Sequence, residues 1–327
     1  MLADSGLQGR GAISRDTLRD TADVYLAGMR SGSIKNRSGD QYKPKVARDY
    51  EASLRLHVLP DLGARRIGEI RSSDLQRLVE RIIAAGLSPS AVRNAINPVR
   101  AIYRRAVLLG EVSEDPTAAI VLPSVRSRRD RVAEPVEATR LLSAVPEADP
   151  IVWALALYAG LRRGEITALR WSDVDTTSRE VRVERGWDDK DGPIDPKSRA
   201  GRRVVPMPER LAVIVDVHRI ECPWAANPEG LVCGRSAATP FGSTGVHGRA
   251  RRAWKAAGLR PIGLHEARHT YASTMMAAGI EAKELSQYMG HSSISTTLDL
   301  YGHLFPSSRH HASSRLDAYL EAALTAL

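Results

Sequence analysis

Apolar residues recur at helical spacing in four early segments, about Thr17 to Met29, Pro44 to His57, Ser72 to Ala85 and Ser88 to Leu109. Breakers such as LPDLG and AAGLSPS stand between them, so each segment reads as a separate helix. Residues 1–15 are Gly/Ser-rich, show no period and read as a tail. The stretch SGSIKNRSGDQYKP between the first two helices is polar and basic, the composition of a loop. Residues 16–115 therefore form a helical domain. After EDPTAAIVLP the sequence SVRSRRDRVAEP is rich in arginine and lies between Pro123 and Pro135, which marks 116–132 as an interdomain linker.

Helical spacing returns at about 135–145 and 149–159. It then gives way to the alternating EVRVERG and to RRVVP, two short strand candidates around a Gly/Pro/Asp-rich connection. Helices resume over about 208–219, 243–257, 265–278, 281–288, 293–300 and 308–323. The expected fold class is mainly α with a small β element: a basic helical domain, a linker, and a second domain over 133–327.

Length agrees with two domains, because 327 residues exceed what a single core ordinarily encloses. The N-terminus MLADSGLQGRGAISRD has no apolar export segment. The longest apolar run, 151–161, falls short of the roughly 20 residues that span a bilayer. No membrane partner is expected, and the cytoplasm is the expected location. Cys222 and Cys233 fit reduced thiols rather than a disulfide scaffold. The net charge of +9 is unevenly spread: residues 1–132 hold 23 Lys/Arg against 15 Asp/Glu, residues 133–327 hold 24 against 23. An excess concentrated in the first domain suits a grip on a polyanion through its phosphates, although a basic face with no partner has the same composition.

The letters HEARH at 265–269 carry two incompatible readings. As H-E-x-x-H, His265 and His269 bind zinc from one helix face and Glu266 acts as a base in a metallopeptidase. The extended form of that motif fails, since Ala272 and Met275 stand where Gly and His belong, and a third ligand would have to come from Glu281 or Glu284. As H-x-x-R, the same letters supply His265 and Arg268, an imidazole and a guanidinium one turn apart, which suits a phosphate.

Three further stretches bear on the choice. AGLRRGEITALRW at 159–171 sets Arg162 just after a helix-ending Gly, with Glu165 three residues on. PKSRAGRRVVP at 196–206 holds Lys197 on the connection between the strand candidates. MGHSSISTTLDLYGH at 289–303 carries His291 after a Gly and Tyr301 ten residues later. Singly each has an ordinary structural explanation. Together with HEARH, in this order and spacing, they resemble the tyrosine recombinases, the phage-integrase family, strongly over the second domain and more loosely over the first.

The resemblance implies a two-domain architecture, an N-terminal helical core-binding (SAM-like) domain and a mixed α/β catalytic domain, with a helix over 308–327 that docks on a neighbouring protomer. It also implies an enzyme that cuts and rejoins double-stranded DNA. Tyr301 is then the nucleophile. Arg162 and Arg268 clamp two phosphate oxygens, Lys197 protonates the leaving 5′ oxygen, and His265 and His291 hydrogen-bond the phosphate or assist proton transfer. Glu165 supports the site. Arg163 and His269 keep structural roles, and Glu266 is a neighbour of the site rather than its base. No metal, cofactor or ATP is required, because two guanidiniums neutralise the phosphate and one phosphoester replaces another. The implied partners are DNA attachment sites, a homo-tetramer on two of them, and an accessory directionality factor. A phage or mobile-element integrase is the first expectation, a chromosome-dimer resolvase the second. Two features depart from the family pattern: Ala267 replaces a commonly larger apolar residue, and only some 16 residues precede the first helix, fewer than in integrases that carry an arm-binding domain.

Overall fold

The computed structural model describes residues 15–125, 131–195 and 201–301, together with 316–317, 320–321 and 324. The tail expected over 1–15 (apart from Arg15), Lys197 and most of the helix expected over 308–327 lie outside the described residues. The chain divides into two compact units, Met1–Arg128 and Arg129–Leu327, each with its own apolar core.

The first unit is helical. Helix α1 (Leu18–Ser31) starts because Thr17 Oγ1 accepts the Asp20 N–H at 3.2 Å while the Asp20 carboxylate accepts the Thr17 N–H at 3.1 Å. Helix α2 (Pro44–Ser53) does not continue regularly to His57, as its periodicity predicts; it opens into a widened turn over Leu54–Val58 before a short helix α3 (Leu59–Leu62). Pro60 supplies the reason: its ring lacks an N–H and collides with the carbonyl one turn back, and the wider turn gives it room. Leu54 and Val58 both still reach the core. Helices α4 (Ser72–Ala84) and α5 (Pro89–Leu108) complete the unit, and α5 runs on through Pro98. The stretch from 116 does not begin as a free linker. Ile120 is buried in the first core, the Val121 N–H donates to Gln76 Oε1 at 2.9 Å, and Arg93 Nε donates to the Pro123 carbonyl at 3.0 Å.

The second unit is built around α7 (Pro150–Tyr158), in which Ile151 to Leu157 are all buried. An all-round apolar helix has to be enclosed, and α6 (Pro135–Ala144), α8 (Arg163–Ala168), α9 (Glu209–Glu221) and α11 (Leu264–Ala277) pack on it. Between α8 and α9 lies the β element. Strands β1 (Val174–Asp175), β2 (Glu180–Val183) and β5 (Arg203–Pro206) form an antiparallel sheet in the order β1-β2-β5, with Val181 opposite Val205 and Val183 opposite Arg203. The Gly/Pro/Asp-rich connection is itself a hairpin, β3 (Gly186–Asp188) with β4 (Gly192–Ile194), turned by Asp188 Oδ1 accepting the Lys190 and Asp191 N–H groups. Helix α10 (Ser243–Ala256) follows α9, and α12 (Ala282–Met289) and α13 (Ile294–Tyr301) follow α11. The short helix α8 has no counterpart in the sequence-based expectation, since six residues are too few to show a period.

Trp254 on α10 is 1% exposed, stands edge-on to Trp153 of α7 at 4.6 Å between ring centroids, and donates its Nε1–H to the Leu141 carbonyl at 2.7 Å. Replacing it by Ala deletes core volume and leaves that carbonyl unpaired, and is expected to cost about 3–5 kcal/mol, read as a lowered urea midpoint. Val217→Ala on the outer face of α9, where Val217 is 51% exposed, is expected to stay within about 0.5 kcal/mol of the parent.

Candidate active site

Three arginines from different parts of the second unit meet the C-terminal end of α12. Arg203, first residue of β5, donates from Nε to the Tyr288 carbonyl at 2.6 Å. Arg268 on α11 donates from Nη2 to the Met289 carbonyl and from Nη1 to the Gly160 carbonyl. Arg162, just before α8, donates from Nη2 to the Gly290 carbonyl at 3.1 Å. The last carbonyls of a helix have no donors within it and carry the negative end of its dipole, so guanidiniums satisfy them doubly. Gly290 ends α12 in the left-handed conformation, φ 61°, which glycine adopts without strain. Gly160, φ 61°, is required more strictly: a Cβ there would lie 2.3 Å from the Tyr271 ring.

Glu165 is the counter-ion. Its carboxylate accepts the Arg162 backbone N–H at 2.8 Å and Arg162 Nη1 at 2.9 Å, and both Nη atoms of Arg203 at 3.0 and 2.8 Å, while Arg268 Nη1 lies 3.9 Å away. Burial alone would raise its pKa; the hydrogen bonds and charge of Arg203, with Arg268 and Arg162 behind them, outweigh burial and hold the carboxyl at about 2. Burial, and then the neighbouring Arg162 charge, pushes the Arg268 guanidinium down to about 9 against the opposing pull of Glu165, and it stays protonated at neutral pH. One carboxylate among three guanidiniums leaves two positive charges in excess. Arg162 keeps 42% of its side chain exposed, so part of that excess faces solvent where an anion can reach it.

The imidazoles and the phenol lie beside this cluster. His291 follows Gly290, and its Nδ1 is hydrogen-bonded at 2.8 Å to Oγ1 of Thr297, a fully buried residue of the otherwise exposed first turn of α13. Burial and then the charges of Arg268, Arg162 and Arg203 drive His291 to about 4, so its ring is neutral at pH 7. Tyr301 ends α13, is 3% exposed, and packs with Tyr271, Ala272, Met276, Leu285 and Met289. Its hydroxyl is hydrogen-bonded to His269 Nδ1. His265 opens α11 on the exposed side, its ring edge-on to that of His269 at 4.5 Å. Glu266 is spent on helix capping, accepting the Gly263 N–H at 2.8 Å, and His269 is spent on Tyr301. The H-E-x-x-H reading of this helix thus loses its base to another bond. Among the described residues no three His, Cys, Asp or Glu side chains gather as a metal site.

A profile of the phage integrase family matches residues 131–308, and one described as the phage integrase central domain matches residues 33–121. The chain belongs to the phage integrase family. It is a tyrosine recombinase of the integrase type, a site-specific DNA recombinase. A tyrosine recombinase XerC-like protein of Caldanaerobacter subterraneus subsp. tengcongensis is 26% identical, over 84% of this chain and 78% of the relative. Among solved structures, the Tn1549 transposon integrase in complex with a circular intermediate DNA matches with a TM-score of 0.74 and 19% identity, over 93% of this chain and 99% of that one. A lambda integrase tetramer bound to a Holliday junction matches with a TM-score of 0.63 and 20% identity, over 87% and 77%. At these identities the structural likenesses concern the fold.

Of the residues the integrase motifs single out, the structure brings Arg162, Glu165, Arg268, His291 and Tyr301 into one buried neighbourhood with His265 at its exposed rim, while Lys197 lies outside the described residues. Three partners lie outside the motif reading: Arg203, Thr297 and His269. Arg203 had a signal, since it shares strand parity with the buried Val205 and so points inward. For the pairing of His269 with Tyr301, 32 residues apart, the sequence carried none.

The shifts set an acid limit on stability. Glu165 is lowered from 4.5 to about 2 and His291 from 6.5 to about 4, so across these windows the unfolded integrase binds more protons than the folded one. Their contribution is complete above about pH 6.5 and is lost stepwise as pH falls, His291 first and Glu165 last. Glu165→Gln removes the lower step and strands buried guanidiniums. We expect it to cost about 3–5 kcal/mol at pH 7 and to flatten the decline below pH 4.5 in urea titrations against pH.

Proposed function

We propose that Tyr301 attacks a DNA phosphodiester held by Arg162 and Arg268, giving a 3′-phosphotyrosyl link and a free 5′ hydroxyl. What carries the reading is the cationic excess around Glu165 beside a buried tyrosine, close enough that the Tyr301 charge acts on Arg268. A phosphodiester brings one negative charge and its pentacovalent transition state two. A site preorganised two charges positive therefore stabilises the transition state more than the ground state. Lys197 protonates the leaving 5′ oxygen, and His265 and the neutral His291 donate to phosphate oxygens. Attack by the 5′ hydroxyl of another strand completes the exchange, with no energy input because the ester bond is conserved.

The same reading assigns double-stranded DNA attachment sites as substrate and a tetramer on two of them as the working assembly, as the lambda integrase of the solved structure assembles on a Holliday junction. The exposure of Leu316, Leu320 and Leu324, one turn apart, supports a C-terminal helix that docks on a neighbour. Kinship with the Tn1549 transposon integrase supports a mobile-element substrate, with an accessory factor setting direction. No helix of the described residues is long and apolar enough to cross a membrane; the site of action on this reading is the bacterial cytoplasm. On the first unit, Arg37, Arg100 and Arg104 line one groove with Asn97, Tyr42 and Tyr50, donors suited to a phosphate backbone.

The decisive experiment is a nicked suicide substrate. Wild-type protein is expected to be trapped as a covalent adduct, Tyr301→Phe to bind without one, and Arg162→Lys and Arg268→Lys to lose at least about 100-fold in adduct formation, since an ammonium lacks the bidentate fork. An adduct in Tyr301→Phe refutes the nucleophile. For the first unit, replacing Arg37, Arg100 and Arg104 together by Ala is expected to weaken binding and to lower the slope of log affinity against log salt by up to about 0.9 per lost phosphate contact. An unchanged slope in fluorescence-anisotropy titrations places the grip elsewhere.

A further inference from the structure

We propose that His269 is a catalytic residue, the base that takes the proton of Tyr301 through Nδ1 during attack. The proposal rests on the reading of Tyr301 as nucleophile. A phenol ordinarily titrates near 10, so a tyrosine attacks phosphorus at neutral pH only if a neighbouring group accepts its proton. The Tyr301 hydroxyl already has such a group: it is hydrogen-bonded to Nδ1 of His269, with the ring centroids 5.4 Å apart. Both residues are buried, Tyr301 at 3% and His269 at 7% exposure, in a pocket whose other walls are Tyr271, Met276 and Leu285. In such surroundings bulk water is a poor alternative acceptor.

The surroundings of His269 also make the transfer conditional on DNA. Arg268 precedes it on α11, the His265 ring stands edge-on at 4.5 Å, and His291 at the start of α13 is near enough to feel its charge. With Arg162 and Arg203 behind them, Glu165 shared among the three guanidiniums and Glu266 engaged at the start of α11, a further cation at His269 is opposed until a phosphodiester binds. A phosphodiester supplies one compensating negative charge and its transition state a second, so the base strengthens as the substrate arrives.

The step balances. The Oη–H bond breaks and the Nδ1–H bond forms while Oη bonds to phosphorus and the P–O5′ bond breaks, O5′ taking its proton from Lys197. In rejoining, the incoming 5′ hydroxyl returns a proton to the Lys197 amine and His269 returns its own to Oη as the phenolate leaves.

The test is single-turnover adduct formation by His269→Asn, whose Oδ1 can replace Nδ1 as acceptor but cannot hold a proton. We expect thermal melting and DNA binding near wild type, adduct formation slower by about 100- to 10,000-fold, and loss of the imidazole limb of the pH–rate profile. On a substrate with a 5′-bridging sulfur, whose thiolate leaves without a proton, the defect should persist while that of Lys197→Ala is relieved. Wild-type rate and pH profile in the Asn variant would reduce His269 to an anchor. Relief on the sulfur substrate would move its action to the leaving group and overturn the proposal. Should the variant not fold, wild-type protein on the sulfur substrate decides, since the transfer to His269 is then the proton in flight: slower cleavage in D2O is expected, and equal rates refute it. A Tyr301→Phe protein that still forms the adduct defeats the nucleophile assignment itself, a separate outcome.

Discussion

Among the described residues, the catalytic unit is arranged around a largely buried imbalance of charge: Arg162, Arg203 and Arg268 share the carboxylate of Glu165. Charges withdrawn from water are costly unless each is paired and hydrogen-bonded. This cluster meets the cost with the carbonyls that end α12 and with a carboxylate held ionised at about 2. Because those acceptors are backbone groups at one helix end, the three guanidiniums are brought to one place by a feature that no side chain has to supply. The elements that bear them, β5, the start of α8 and the first half of α11, are otherwise far apart in sequence.

The same constraint explains why the fold surrounds the site with rigid parts. Helix α7 is enclosed on all sides and carries Gly160 just past its end, where the chain must turn left-handed beside the Tyr271 ring and present its carbonyl to Arg268. The β2–β5 pairing sets Arg203 opposite Val183 and turns it toward Glu165. A shift of one residue along that ladder would point the guanidinium to solvent and leave Glu165 with half its donors. The ladder register and the paired charges therefore stand or fall together.

Tyr301 belongs to a different environment, an apolar pocket between α11, α12 and α13. Its hydroxyl is hydrogen-bonded to His269, while Thr297, one turn earlier on α13, holds His291. Helix α13 is thus tied by two imidazole contacts, His291 to Thr297 and His269 to Tyr301, to the parts around the arginine cluster.

Helical periodicity alone located most of the helices to within a few residues and placed the small β element between them, because amphipathic spacing is a local property of the chain. Motif order and spacing also sufficed to name the family. Local pattern failed where the outcome depended on distant atoms. The widened turn at Leu54–Val58 answers to Pro60 and to a core that both leucine and valine must reach. The six-residue α8 is too short to have a period, and residues 116–123, bounded by prolines and without a period, are fastened by Ile120 and Gln76. His269 is the clearest case. Its neighbours in sequence describe a helix interior, and only the packing of α13 against α11, which brings together residues 32 apart, turns it into the partner of Tyr301.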